Sequence, residues 1–448
     1  MPSKHLFRHI YMNKLAFINR IVLVLELFTF CLSTNTVVAQ SYDEGFTIDG
    51  NMFARGEIRA GGFDSKTNNT DAAAFVLDRA RIIGHYQNRA FSMHLAIQHV
   101  GVWGSNDRGA VRVFEGWAQF YSQKGWFVKL GRQTLSYDDE RIIGSCDWSV
   151  MGTSYDVAKL GMEKQHHKVH LILAFNQNDE SFTGGTYYNN KSLFKTMQTA
   201  WYHFDVPNVP LGLSVIGMNI GMQDSTNQGA IVRNQQLLGG YANFSPKGLK
   251  VEVSYYHQLG ENEKGIPIDA WMAAIRAEKT IGSKWAVYGG YDYLSGDDKF
   301  PVPGEGEIGL IQHKVIKGFK PLYGSQHKFY GAMSFFYLNT YINNFTPGLQ
   351  NLYAGAKWNP LKSLNVDMGY HFYATASKLD NHSSDLGHAI ELEIGWRFHD
   401  YAKLSFGYSL MRGTSTMEAL QRVNSDRYLR WGWLQLMVSP RIFTSSNK

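Results

Sequence analysis

The stretch Ile390-Glu391-Leu392-Glu393-Ile394-Gly395-Trp396-Arg397-Phe398 decides the fold. Its apolar residues occupy every second position, with Glu391, Glu393, Gly395 and Arg397 between them. Successive side chains of an extended chain point to opposite faces, so this spacing makes a strand with one apolar and one polar face. A helix would scatter the same residues around its circumference. The pattern returns in Leu364, Val366, Met368, Tyr370 and Phe372, set against Asn365, Asp367, Gly369 and His371. It returns again in Leu404, Phe406, Tyr408 and Leu410, and in Leu249, Val251, Val253 and Tyr255. A soluble sandwich also alternates, so the spacing of the turns has to separate the two folds.

Short connections at 87–89, 122–124, 165–167, 206–209, 245–247, 282–283, 360–362 and 399–401 alternate with longer polar, glycine-rich stretches. The long ones are 61–73, 103–109, 135–153, 176–195, 222–233, 259–268, 296–350, 376–386 and 411–427. Two length classes in strict alternation are the pattern of a membrane barrel, with short periplasmic turns and long outer loops. Eight turns and nine loops predict an all-β fold: a transmembrane antiparallel β-barrel of about 18 strands with both chain ends on the periplasmic side. Parity then assigns 327–338 to a long loop folding inward, because one more strand would leave the C-terminus outside. Trp126, Trp201, Trp285, Trp358, Trp431 and Trp433 fall near strand ends and are expected to form interfacial girdles.

The composition agrees. Of 448 residues 44 are glycine, 14% are aromatic and only 18% are charged, a mix for many strands and tight turns that excludes a disordered or coiled-coil chain. The mean hydropathy of -0.28 fits a wall whose residues alternate between lipid and water. Lys14 and Arg20 precede the apolar run from Ile21 to Leu32, and Val37-Val38-Ala39 supplies small residues before a cut. Residues 1–39 therefore read as a secretory signal peptide, and 40–448 as a single barrel domain. The apolar run contains Glu26 and is shorter than the roughly 20 residues a membrane span needs. Removing Lys4, Arg8, Lys14, Arg20 and Glu26 from 44 basic and 38 acidic residues leaves 40 against 37, a balance that selects no particular partner. Cys146 is then the lone cysteine, so no internal disulfide is expected.

Following the alternation inward places Arg55, Arg59, Arg79, Arg81, Lys129 and Lys159 on the water face of the first six strands, against Glu57 and Glu115. Later strands add Arg276 and Arg397 among more mixed charges. Such a wall gathers anions by focusing the field, and its arginine forks match carboxylates in two-point contacts. The same charges would equally pair across strands and hydrate the lumen. Arg132 and Arg141 flank a long loop with Asp138, Asp139, Asp147 and Asp156 beside them, which reads as an ion-paired network folding the loop inward as a constriction. A solvated outer loop is the alternative. No Gly-x-Ser-x-Gly elbow occurs, His166-His167 sits in a short turn, and Asp297, Asp298, Glu305 and Glu307 lack calcium-loop spacing. Neither catalytic residues nor a metal or other cofactor is expected.

Gly131-Arg132-Gln133, Tyr137-Asp138-Asp139-Glu140-Arg141-Ile142-Ile143-Gly144, Asp147-Trp148, Gly152 and Tyr155-Asp156 together resemble the signature loop of the alginate export family of bacterial outer-membrane barrels. Ser295-Gly296-Asp297-Asp298, Pro321-Leu322-Tyr323-Gly324, His327-Lys328-Phe329-Tyr330-Gly331 and the stretch from Leu352-Tyr353-Ala354-Gly355 to Gly387-His388 agree with it. The resemblance covers essentially the whole mature chain. It implies an eighteen-stranded monomeric barrel in the lipid bilayer of the outer membrane, with an electropositive lumen passing an anionic polysaccharide or oligosaccharide. Cys146 and a last strand running past Val438 into Pro440 depart from the family pattern. A general uptake porin for small solutes and a plugged, surface-binding barrel are the alternatives. An anionic sugar or other small solute is the expected partner, nucleic acid is not, and there is room for a periplasmic protein feeding the pore.

Overall fold

The computed structural model describes residues 44–61, 71–106, 109–122, 124–180, 182, 188, 194–224, 231–297, 314–338, 346–379, 381–421 and 428–445. The expected signal peptide lies outside them, as do Asp298, Glu305 and Glu307. The compact unit that carries the strands is Tyr42–Tyr121 with Gly125–Lys448.

The strands are β1 (Gly45–Ala60), β2 (Ala73–Gln87), β3 (Phe91–Val102), β4 (Ala110–Tyr121), β5 (Trp126–Gln133), β6 (Tyr155–Lys164), β7 (His167–Phe175), β8 (Thr196–Asp205) and β9 (Leu211–Gln223). There follow β10 (Val232–Phe244), β11 (Leu249–Glu261), β12 (Pro267–Ile281), β13 (Trp285–Leu294), β14 (Leu349–Leu361), β15 (Leu364–Ala374), β16 (Asp385–His399) and β17 (Ala402–Gly413). The last, β18 (Tyr428–Val438), resumes beyond Pro440 as Arg441–Thr444. Proline has no N–H for the ladder, which accounts for the break. Each strand pairs antiparallel with its neighbours, and β1 closes the ring on β18 with Arg55 opposite Gln435 and Ala54 opposite Leu436. The result is the closed barrel of eighteen strands that the turn count predicts. Residues 327–338 lie outside the ladder, in a 3-10 turn at Gln326–Lys328 and a one-turn helix α1 (Phe335–Leu338).

Period-two alternation sets what each face meets. Ile390, Trp396 and Phe398 of β16 and Met368 and Tyr370 of β15 stand exposed on the outer face. A bulge in β4, where Ala96 faces Glu115 and Ile97 faces Val113, leaves Phe114 as the extra residue. The girdle expectation needs correction. Trp126, Trp285 and Trp358 are exposed outside, with Trp285 and Trp358 stacked at 5.5 Å, but Trp201, Trp431 and Trp433 are buried inside the barrel. Their parity decides this: Trp431 and Trp433 oppose Arg59 and Glu57 in register and share their inward face.

Candidate functional site

Two of the long connections turn into the barrel and meet, forming a septum. The first, 134–154, leaves β5; the second leaves β13 and is described at 295–297, 314–338 and 346–348. At the root of the first, Gly131 has φ +120, and a Cβ there would stand 2.3 Å from the carbonyl oxygen of Gly116. Only glycine fits so close a backbone approach. Leu135, Tyr137, Ile142 and Ile143 of this loop are buried in one apolar cluster with Ile172 of β7, Trp201 of β8, Met218 of β9, Leu237 of β10, Tyr256 of β11 and Met272 of β12. Tyr330, Met333 and Phe335 of the second loop join them. A lumen is ordinarily polar. The inward apolar residues of β7 to β12 are the seat of the septum, and each fully buried side chain of this kind contributes about 1.5–3 kcal/mol.

The loops interlock through their backbones. Gly144 N–H donates to Tyr323 O at 2.9 Å, Tyr323 N–H to Ile142 O at 2.9 Å, and Ser325 N–H to Glu140 O at 2.9 Å. Glu140 accepts from the hydroxyls of Ser136 at 2.7 Å and Ser325 at 3.1 Å, and from Lys328 Nζ at 3.3 Å. Burial opposes its charge, but these donors hold its carboxyl below the ordinary value. Cys146 donates its thiol to Gly324 O at 3.2 Å. Asp138, Glu140, Cys146 and Tyr330 all have positive φ. For a bulky tyrosine that conformation costs roughly 1–3 kcal/mol, so surrounding contacts must enforce it.

The opposite side of the septum is pinned by polar contacts. Arg141 meets Asp139 at 3.1 Å and Asp292 of β13 at 3.1 Å, donates to Tyr330 Oη at 3.3 Å, and lies 4.1 Å over the Phe329 ring. Burial disfavours its cation, yet Asp292, Tyr330 and Asp139 raise its pKa well above the ordinary value. Asp147 takes Arg79 at 3.0 Å and Arg81 at 3.6 Å from β2. Arg55 of β1 donates to Trp148 O at 3.0 Å and lies 4.3 Å over its ring. Ala332 N–H donates to Glu391 of β16 at 2.7 Å. On the apolar side, Asp138, whose carboxyl burial pushes up, accepts from the Trp201 indole at 3.1 Å.

The septum leaves a cavity toward each end of the barrel. The one toward the long loops, about 440 Å³, is lined by Arg55, Arg59, Glu140, Asp147, Trp148 and Lys328 among others. The one toward the short turns, about 670 Å³, is lined by groups that include Arg276, Glu278, Tyr288, Lys357, Asp367 and Glu393. His327 and Lys328 line both. The His327 ring stacks on Trp148 at 3.9 Å and 9°, meets Trp431 edge-on at 5.5 Å, and bonds through Nδ1 to Ala332 O at 2.8 Å. Burial lowers its pKa to about 3, with Arg55 adding to the effect, so the ring is neutral.

Several residues singled out in the sequence meet here. Asp138, Asp139, Arg141 and Asp147 enter the septum. Arg132 and Asp156 do not: they pair with each other at 2.6 Å, both about half exposed, on the outward face. Counting in twos from inward Lys129 puts Arg132 outward, so the placement is one of parity. Arg55 and Arg59 share Glu57, at 2.8 and 2.7 Å. Arg81 also donates to Gln98 at 2.7 Å. Lys129 sits 3.6 Å over Trp117 and opposite Lys159 in register. Arg276 pairs with Glu278 at 3.2 Å, and Arg397 is exposed near the short-turn end. Glu140, Asp292, His327 and Lys328 acquire roles that alternation alone did not assign. Glu140, His327 and Lys328 stand in the family-like motifs, which are the available signal.

The sequence profile described as alginate export matches residues 43–428. The comparison with curated proteins gave no match. Among solved structures, OpdL of Pseudomonas aeruginosa is similar at 11% identity and a TM-score of 0.59, with 89% of this chain and 99% of that one covered. A BenF-like porin from Pseudomonas fluorescens Pf-5 is similar at 10% identity and a TM-score of 0.60, covering 89% and 99%. OccK2 (OpdF) of Pseudomonas aeruginosa, solved in complex with glucuronate, is similar at 10% identity and a TM-score of 0.59, covering 89% and 98%. The chain belongs to the alginate export family and is a channel of the bacterial outer membrane.

Proposed function

We propose that the channel passes small carboxylated sugars, uronate monomers and short oligomers, rather than a long polymer. The carrying observation is the septum. It leaves cavities of about 440 and 670 Å³, within the range of roughly 300–1,000 Å³ that small-molecule sites occupy. A monomer needs only a local opening of the seam between them, whereas a threaded polysaccharide needs the whole septum to leave the lumen. Lys328 faces the outer cavity beside Arg55 and Arg59, which pair with Glu57, and offers an entering anion a half-exposed ammonium. The glucuronate held by the fold relative OccK2 is a solute of this class.

Proteoliposome swelling tests the reading with a graded series of glucuronate, a uronate dimer, a tetramer and a polymer. Monomer and dimer should enter readily and the polymer should not. Polymer flux as fast as monomer flux would restore the polysaccharide reading. No uronate flux, together with no measurable conductance, would instead favour a plugged barrel that binds at the surface.

A further inference from the structure

The arginines facing the lumen around the septum are committed to structure. Arg55 and Arg59 bind Glu57, Arg79 holds Asp147, and Arg141 holds Asp292. The turn at Gln326–Lys328 differs, because it lies where the two cavities meet and both His327 and Lys328 line each of them. His327 is stacked on Trp148 and neutral. Lys328 is the ionised side chain common to the two cavities, and its side chain remains about half exposed at 53%. Among the described residues it forms an ion pair with Glu140 Oε2 at 3.3 Å, and that carboxylate is fixed independently by Ser136 and Ser325.

We propose that Lys328 is the specificity-determining residue of the channel: an ammonium that receives a solute carboxylate from the outer cavity and passes it to the inner one, with Glu140 as its positioning residue. Lysine suits this role because a point charge on a flexible four-carbon stem follows a moving partner, whereas a guanidinium fork locks in two-point geometry. Glu140 is the resident carboxylate that the solute displaces and that then takes Lys328 back. A conducting site must bind its solute weakly enough to let it go, and such exchange provides that release. The inference rests on the small-anion reading above.

The experiment uses the full-length protein in planar bilayers under a KCl gradient, with glucuronate flux into proteoliposomes as a second readout. Lys328→Gln should lower the chloride over potassium permeability ratio by about fivefold, roughly what 1 kcal/mol between unit charges about 4 Å apart in water amounts to. Glucuronate flux should fall with it, and Lys328→Arg should retain most of the selectivity. Glu140→Gln keeps an acceptor oxygen for one of the two serines, offers the other an amide N–H that its hydroxyl oxygen can accept, and removes the competing charge, so it should raise the ratio. Opposite signs for the two neutralisations are not produced by a merely structural role. If the unmutated pore prefers chloride and both neutral variants match it, the role of Lys328 is overturned while the small-anion reading stands. If the unmutated pore prefers potassium, both fall. Heat-dependent gel mobility checks that each variant is assembled.

Discussion

The barrel wall and the septum it encloses are held by interactions of different kinds. In the wall every strand is one rung of a repeating backbone ladder: β11 and β12 pair without a break from Leu249 opposite Lys279 to Glu261 opposite Pro267. Removing a lumen side chain there leaves the ladder intact. Between the two septum loops the described residues form a short parallel bridge, Ile143 to Tyr323, and a backbone bond from Ser325 to Glu140, and beyond these the contacts are those of individual side chains. Arg141, Glu140, Asp147 and His327 each have contacts that no neighbour repeats. The wall should therefore tolerate changes on its inner face and fail only where it meets lipid, while the septum should yield to single substitutions that leave the barrel assembled.

The largest effect is expected at Arg141. Arg141→Met leaves Asp292 and Asp139 buried without their cation, which costs about 3–5 kcal/mol. Proteolytic cleavage within 138–146 should rise sharply in assembled protein whose heat-dependent gel shift is unchanged. Unaltered cleavage would show that this network does not pin the septum. Next come Ile394→Arg and Met368→Arg, each placing a charge on the lipid face away from the strand ends at a cost of up to about 2–4 kcal/mol. Both should impair assembly itself, and normal assembly of both would mean the faces are inverted.

A smaller effect is expected from pH. Enclosure between Trp148 and Trp431, with Arg55 nearby, depresses the pKa of His327 from 6.5 to about 3, so the closed septum binds fewer protons than the released one. Its contribution to closure is complete above 6.5 and is lost as pH falls from there toward about 3. Channel opening should increase over that window, and His327→Gln should flatten the dependence. Equal pH responses of the two proteins would remove His327 from the septum's energetics. The smallest effect is expected at Arg132→Ala, because an exposed ion pair is worth roughly 0–1 kcal/mol. Loss of the septum in that variant would show that the Arg132–Asp156 pair reaches further than its outward position implies.

The wall was legible in the sequence because its physics is local: alternation of period two fixes faces, and turn lengths fix strand number. Arg55, Glu57 and Arg59 could be placed on one face by counting in twos. The same count places Arg132 outward, but reading it by its closeness to Asp138 and Asp139 put it in the constriction. Trp201, Trp431 and Trp433 show the limit of composition, since aromatics near strand ends serve a girdle or a lumen according to parity. The septum was legible only as loops that turn inward. Which wall group receives Arg141 depends on Asp292, a partner far along the chain, and no periodicity relates the two. Lys328 owes its place to a turn between cavities that exist only once both loops have met.

The zero-current potential of the unmutated pore in a KCl gradient tests the central claim, that small anions cross at a septum with a cationic seam. The pore should prefer chloride at low salt, and the preference should decline as ionic strength rises and the screening length shortens from about 30 Å at 0.01 M to about 10 Å at 0.1 M. A preference for potassium, or a chloride preference indifferent to salt, would contradict it.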